Sequence, residues 1–482
     1  MICLAIDQGT TNTKALLVDQ SGQILSSASR AMTSTYPHAG WAEQDATQIW
    51  ASTQAVIAEL TREAPAIDVI GIANQRETLV VWDAQTGDPI GPAPLWQCRR
   101  TAAQCRDLVD QGHGPDVHSR TGLEINPLFP ASKLAWFLNT NTRARDLAHS
   151  GNLRAGTVDT WLIWNLTGGT VFATDHSNAS RTLLFDTNEM SWSDVLADIF
   201  GVPLSCLAEC KSSDGDFGCT GPGIEGVPAG IPIRAVMGDS HAALYGHGLR
   251  NPGAVKATYG TGSSLMMLTE ERLLPNSGIS STVAWTEGGR TIYALEGNIT
   301  VSGQAAEFAA EMLGLDRVTD LAELADTVDD TGGVTFVPAL AGLGAPYWDD
   351  EARGLFAGLS LGTKRGHIAR AAIDAIAQQV ADVFEAMSAD AGRETAALRA
   401  DGGASSNSSL MQLQSNLIGC KVERSQVAEV GALGVAAMAA NAIGHPMTID
   451  LGTDIFVPVE QPAKRKADRS RWRRAVARAR GV

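Results

Sequence analysis

Basic residues are scarce in this chain: 37 Lys+Arg stand against 53 Asp+Glu in 482 residues, a formal charge of −16. A surface that acidic repels phosphate backbones and anionic lipid, so neither nucleic-acid binding nor membrane attachment is expected. No run of 18 apolar residues occurs, which excludes an ordinary membrane-spanning helix. Cysteine is sparse. The seven are an odd number scattered along a long chain, the pattern of reduced thiols and not of a disulfide framework. Cys206, Cys210 and Cys219 have no matching pair to complete a zinc site. The N-terminal Met-Ile-Cys-Leu-Ala-Ile-Asp lacks a basic n-region and a cleavage site, so a cytoplasmic location is expected. A G-x-x-x-x-G-K-[ST] loop and a G-x-S-x-G elbow are both missing. Gly221-Pro-Gly-Ile-Glu-Gly226 fits G-x-G-x-x-G, but it contains Pro222 and follows no strand. No repeat of 20–50 residues is evident.

What is present is an alternation of short apolar runs and helical periods, the signature of an α/β fold. Ile2 to Ile6 and Ala15 to Val18 flank a polar turn, a hairpin pattern. Ala46 to Leu60 reads as a helix, and Val69 to Ala73 as a buried strand ending at Asn74-Gln75-Arg76-Glu77. Ile233 to Met237 reads as a strand running into Gly238-Asp239-Ser240, and residues 201–232 as loop. Apolar residues at Ile368, Ala372, Ile376, Val380, Val383 and Met387 predict a long helix stopped by Gly392. The basic tail from Lys464 to Arg480 predicts a solvated helix with Trp472 and Val476 packed down. At roughly 100–200 residues per domain, 482 residues make several domains, and the expected division falls near residue 245.

Three glycine-rich turns each follow an apolar run: Asp7-Gln8-Gly9-Thr10-Thr11, Tyr259-Gly260-Thr261-Gly262-Ser263, and Asp401-Gly402-Gly403 through Asn407. Glycine lets backbone amides approach an anion, and such nests hold phosphates. Any one of these turns is ordinary. Three together, two of them opened by aspartate, point to a nucleotide. Asp7 is placed to hold Mg²⁺ through water, because that ion keeps most of its hydration. Lys14 offers a compact cation to a phosphate. A second constellation joins Arg76 and Glu77, a donor beside an acceptor that suits vicinal hydroxyls, with Trp96 and Asp239.

With these motifs stand Gly40–Asp45, Trp96–Thr101, Gly156–Trp161, Asn178–Thr182 and Gly342–Trp348. Together, over nearly the whole length, they resemble the FGGY carbohydrate kinases, and within that family most of all its glycerol kinases. The resemblance implies an α/β chain of two actin-like, ribonuclease-H-like domains with a nucleotide cleft between them. Residues 1–245 would bind the polyol and carry the first phosphate turn. Residues 246–482 would bind the nucleotide and end in the basic helix. It implies ATP-dependent phosphorylation of a small polyol or sugar, glycerol to glycerol 3-phosphate in the first instance, with ATP and Mg²⁺ as cofactors. Carried over by position, Thr10, Thr11, Asn12 and Lys14 line the ATP phosphates. Thr261 sits at the transferred phosphoryl group, and Gly303, Gly403 and Asn407 meet the nucleoside end. Glu307 stands where the family has a glutamine that reaches the nucleotide. Arg76, Glu77, Asp239 and Ser240 hold the polyol, with Asp239 as base and Trp96 as an apolar wall.

Three departures surround the polyol. The family's glycerol kinases usually have Pro-Tyr-Phe where this chain has Pro127-Leu128-Phe129, Gly-Asp-Gln-Gln where it has Gly238-Asp239-Ser240-His241, and an aromatic residue near Ser264. A larger polyol or a ketose (erythritol, a pentitol, a ketopentose) is therefore the alternative substrate. A homodimer is left open. An actin- or chaperone-like ATPase would share the phosphate turns but has no use for Asn74–Glu77.

Overall fold

The computed structural model describes residues 1–62 and 66–482. They form two compact units. Unit 1 comprises Met1–Gly248, Ser281–Tyr293 and Glu429–Asp450; unit 2 comprises Leu249–Ser280, Ala294–Ala428 and Leu451–Val482.

In unit 1, β1 (Ile2–Gln8), β2 (Asn12–Asp19) and β3 (Ile24–Ala31) form an antiparallel meander. Cys3 to Ile6 is buried throughout, as suits a central strand, whereas β3 buries few of its residues, as suits an edge. After helix α1 (Ala46–Thr61), capped by Asp45 accepting from the Thr47 amide at 2.8 Å, β4 (Val69–Asn74) pairs parallel to β1. A short strand β5 (Ala173–Asp175) leads into a single helical turn α2 (His176–Ala179). β6 (Ile233–Gly238) joins parallel to β4, giving the order β6-β4-β1-β2-β3, and runs straight into helix α3 (Asp239–Gly246). The sequence placed Asp239 at a strand end. It is the first residue of a helix, where a carboxylate meets the positive end of the helix dipole.

Unit 2 repeats the scheme. The hairpin of β7 (Val255–Tyr259) and β8 (Ser263–Thr269) is antiparallel, and a second hairpin, β9 (Ser280–Glu287) with β10 (Arg290–Ile299), follows. Residues Ser281–Tyr293 of that hairpin group with unit 1. Helix α4 (Gly303–Met312) comes next, then the long α5 (Arg365–Ala391), closed by Gly392 at φ +60°, as the periodicity predicted. β11 (Ala397–Asp401) pairs parallel to β7, helix α6 (Ser408–Ile418) follows, and β12 (Lys421–Ser425) pairs parallel to β11. Thus β1 and β7 are alike: each starts a tight hairpin and takes a later parallel strand on its other side. The duplication is topological, which is why no sequence repeat betrays it.

Helix α7 (Val430–Ala442) belongs to unit 1, so the compact units interleave along the chain. It lies directly on backbone. A Cβ on Gly434 would fall 1.9 Å from the Ala242 carbonyl oxygen, one on Gly246 2.3 Å from that of Val430, and one on Gly71 2.7 Å from that of Val435. A helix of small residues buried all round shows no amphipathic period to assign it. The chain ends with β13 (Thr453–Phe456), antiparallel to β12, and helix α8 (Pro462–Arg480), which buries Trp472 and Val476 as predicted. Among the described residues no helix is long and apolar enough to cross a membrane.

Candidate active site

The parallel strands of unit 1 end side by side, and the chemistry gathers there, as is usual for open α/β sheets. From β4 the chain passes to Arg76 and Glu77, both buried, and from β6 to Asp239. Arg76 Nε donates to Asp239 Oδ1 at 3.2 Å, and its guanidinium reaches to 4.0 Å of Glu77 Oε1. The Asp239 side chain is 41% exposed, so the carboxylate is anchored on one side and open on the other. The Ser240 amide also donates to it, at 2.6 Å.

Glu77 is held hard. Its carboxylate accepts from Arg181 Nε at 2.7 Å, and Arg181 stacks over the Phe129 ring at 5.1 Å. Its backbone sits at φ +59°, left-handed and costly for a non-glycine residue. Lys133, fully buried, fixes that turn by donating to the carbonyls of Glu77 (2.9 Å) and Leu128 (2.7 Å). Burial pushes the Lys133 ammonium down to about 7, against the opposing pull of Glu77. Leu128 itself turns into an apolar cluster with Leu123 and Ile125.

The β1–β2 turn is braced by buried glutamines. Gln75 Nε2 donates to Gln8 Oε1 (3.0 Å) and Gln44 Oε1 (2.9 Å), and Gln44 Nε2 donates to the Thr10 carbonyl (2.6 Å). The Thr10 hydroxyl donates to Gln75 Oε1 and accepts from Trp96 Nε1, both at 3.1 Å. Trp96, expected as an apolar wall, therefore also works through its polar edge. The Thr10 side chain, expected on a phosphate, is engaged inside the protein. Thr11 is exposed at the turn tip and Asn12 is half-buried, with its amide donating to the Thr11 hydroxyl at 3.3 Å. Asp7 faces Lys14 across the hairpin. Lys14 pairs with Glu429 at 3.6 Å, at the start of α7. Burial first, then the negative charge of Asp239, raises the Asp7 carboxyl to about 7; Lys14 opposes this and Glu429 adds to it. A Cβ on Gly431 would stand 3.8 Å from Asp7 Oδ2, so the α7 N-terminus backs the two aspartates. Among the described residues, no group of three or more His, Cys, Asp and Glu could hold a metal ion directly.

In unit 2, the Gly260 amide donates to the Gly262 carbonyl at 2.9 Å, which leaves the Thr261 side chain exposed. The Gly303 amide donates to the Gly260 carbonyl at 3.0 Å, and a Cβ on Gly303 would fall 2.6 Å from that oxygen. Glu307 is exposed one turn further along α4. At the end of β11, Gly402 at φ +88° lies on the Tyr259 backbone, whereas Gly403 faces open space. Gly402 thus serves packing, and Gly403 has room for a ligand to approach its backbone. Asn407 Oδ1 caps α6 by accepting from the Leu410 amide at 3.0 Å, a use of that side chain the sequence did not suggest. Ser264 is half-buried and donates to Glu296 at 3.5 Å.

Sequence reasoning assigned no role to Arg181, Lys133 or Glu429. Arg181 lay in a stretch, Asn178–Thr182, whose composition reads as an exposed polar loop although every residue of it is buried. Gly238 yields a direct test of the arrangement. A Cβ there would lie 2.6 Å from Arg76 Cγ and Cδ and 2.9 Å from His241 Nδ1. Gly238→Ala is expected to displace Arg76 and raise the KM for the polyol that the sequence resemblance implies about tenfold or more, the worth of one charge-assisted hydrogen bond. An unchanged KM would show that Arg76 need not lie against Gly238.

The chain resembles known proteins over its full length. It is 44% identical to the glycerol kinase of Symbiobacterium thermophilum over 99% of this chain and 98% of that protein. It is 46% identical to the glycerol kinase of Chromobacterium violaceum over 93% and 90%. Its structure superposes on the Plasmodium falciparum glycerol kinase solved with ADP at a TM-score of 0.92 and 31% identity, covering 99% of this chain and 98% of the other. A Lactobacillus acidophilus xylulose kinase shares the fold at a TM-score of 0.89 and 21% identity, covering 100% and 98%. Residues 2–246 match the N-terminal domain and residues 255–443 the C-terminal domain of one family of two-domain α/β phosphotransferases, and the chain belongs to that family, the FGGY carbohydrate kinases.

Proposed function

We propose that the protein transfers the γ-phosphoryl group of ATP to a hydroxyl of a small polyol, glycerol first among them. The observation that carries this reading is Arg76 Nε at 3.2 Å from a half-open Asp239 carboxylate, beside a Glu77 that Arg181 holds in place. Arg76 and Glu77 grip neighbouring hydroxyls as donor and acceptor. Asp239 takes the proton of the attacking hydroxyl late in a loose transition state, where catalysis rests on positioning and charge neutralisation. The β1–β2 turn, with Thr11, Asn12 and Lys14, lies at phosphates; Thr261, Gly303, Glu307, Gly403 and Asn407 serve the nucleotide from unit 2. Asp7 fits Mg²⁺ held through water, since burial first and then the charge of Asp239 disfavour its ionised form and a cation would favour it. That ion would neutralise phosphate charge. The relatives named glycerol kinase support the substrate class.

The first test is ADP release in a coupled assay with and without glycerol. Release dependent on the polyol supports a kinase, and equal release without it makes the protein an ATPase. Lys14→Ala is expected to raise the KM for ATP or lower kcat with little change in folding, because Lys14 is partly exposed and its pair with Glu429 is loose at 3.6 Å. Unchanged ATP binding by calorimetry together with unchanged activity would reduce Lys14 to a surface cation.

Leu128, Ser240 and Ser264 favour a second reading, a larger polyol or ketose. Leu128 offers no hydroxyl and is turned into the core. A hydrogen-bond partner missing from a ligand costs about 0.5–1.5 kcal/mol. On this reading a four- or five-carbon polyol or a ketopentose equals or exceeds glycerol in kcat/KM. Glycerol ahead by about tenfold or more rejects it.

A further inference from the structure

We infer that Asp175 is the positioning residue of the polyol site, setting Asp239 through one hydrogen-bond chain and the Arg76–Glu77 turn through another; this rests on the kinase reading above. Asp175 lies at the end of β5, fully buried, and its carboxylate accepts from five donors, none of them a cation. Oδ1 accepts from the Ser177 hydroxyl (2.9 Å), the Asn178 amide (2.9 Å) and Asn178 Nδ2 (2.8 Å). Oδ2 accepts from the Ser177 amide (2.9 Å) and the Ser213 hydroxyl (2.7 Å).

Two chains lead outward. In the first, Ser177 gives its proton to Asp175, so its oxygen is left to accept from the Gly238 amide at 3.1 Å, one residue before Asp239. In the second, Asn178 turns its NH₂ to Asp175 and to Asn74 Oδ1, at 3.0 Å. Its own oxygen then accepts from Asn74 Nδ2, also at 3.0 Å. Asn74 closes β4, and the same nitrogen donates to the Gln75 carbonyl at 2.9 Å, one residue before Arg76.

A carboxylate only accepts. That property turns the Ser177 proton and the Asn178 NH₂ toward Asp175, in agreement with the Gly238 N–H, which only donates, and the Gln75 carbonyl, which only accepts, at the far ends of the two chains. A helix cap needs no such property, because asparagine caps as well as aspartate. Asp175→Asn keeps the volume of the side chain but brings an NH₂ either to the place of Oδ1, against the donors of both chains, or to that of Oδ2, against the Ser177 amide N–H, which pushes away the turn that carries Ser177 and Asn178.

The test uses the full-length protein and three variants. Ser177→Ala, which removes the link to Gly238 with one donor to Asp175 and spares the chain to Asn74, is expected to lower kcat about tenfold with the polyol KM little changed. Asn178→Ala, which removes the link to Asn74 with one donor to Asp175 and spares the chain to Gly238, is expected to raise the polyol KM about tenfold with kcat largely kept. Asp175→Asn is expected to do both, while the KM for ATP stays within about twofold. A purely structural role would move the ATP and polyol constants together, and that result, or three variants like the wild type, would overturn the inference. Hydrogen exchange gives a readout without turnover. Peptides covering 74–77 and 238–241 should exchange faster in Asp175→Asn, and unchanged exchange would overturn the inference whatever the substrate proves to be. A wild type that releases no more ADP with any polyol refutes the kinase reading alone, and the exchange result then still decides the role of Asp175. If Asp175→Asn does not fold, the two single-link variants carry the test.

Discussion

Replacing Asp239 with asparagine should lower kcat by roughly 10²–10⁴-fold, the usual worth of a general base. The substitution is close to isosteric. Its Oδ1 can still accept from Arg76 Nε and from the Ser240 amide, now at 3.2 Å and 2.6 Å. The polyol constant should therefore move little while turnover collapses. What is lost is the ability to take a proton on a carboxylate that is anchored through Oδ1, in a side chain 41% exposed. A loose phosphoryl transition state needs that proton late, so the residue contributes to the rate and not to ground-state binding. Initial rates of ADP release at saturating ATP and polyol decide it. A kcat within a small factor of wild type would remove Asp239 from the role and leave Arg76 with an aspartate that only orients it.

Much of this site can be read in the sequence, and the part that cannot has a physical reason. The hairpin around Gly9, the helix stopped by Gly392 and the buried Trp472 of the C-terminal helix follow from local periods and turn chemistry, which one sequence displays. Arg76, Glu77 and Asp239 stand out because each ends an apolar run. Their supports do not stand out. Arg181 meets Glu77 across 104 residues and Lys133 across 56, and neither carries a local mark of burial. Asn178-Ala-Ser-Arg-Thr182 is polar enough to pass for solvent-exposed loop, yet Asp175 and Glu77 draw it inside by hydrogen bonding. Glu429 and α7 are a different case. A helix made mostly of alanine, glycine and valine gives no sign of which unit it serves, and the close approaches of Gly434 to Ala242, Gly246 to Val430 and Gly71 to Val435 show it. Trp96 shows a third limit. Its place in a motif marked it as a wall, and only the coordinates reveal that its N–H also steadies Thr10.

Arg181→Met should cost about 3–5 kcal/mol of stability and most of the polyol affinity, because it strands a buried carboxylate. Glu77 is 4% exposed, and its closest cation is Arg181 Nε at 2.7 Å; Arg76 stands off at 4.0 Å. Methionine retains much of the arginine stem's volume but not the guanidinium over the Phe129 ring, so the loss reports charge, hydrogen bonding and that cation–π contact more than packing. The left-handed turn at φ +59° adds to the effect, since such strain persists only where surrounding contacts hold it. Lys133 cannot take over from Arg181. Its ammonium is committed to two carbonyls, and burial already pulls its pKa down to about 7. The decisive comparison is the double variant Arg181→Met with Glu77→Gln. Neutralising Glu77 removes the uncompensated charge, so the double variant should recover most of the stability lost in the single one, a coupling of the size expected for residues in contact. It should not recover polyol binding, which on the proposed reading uses the Glu77 side chain as a hydroxyl acceptor of the full carboxylate kind. Denaturation midpoints of the two single variants and the double, with the polyol KM of each, separate these effects. Equal instability of single and double variants would mean that Arg181 contributes by packing alone.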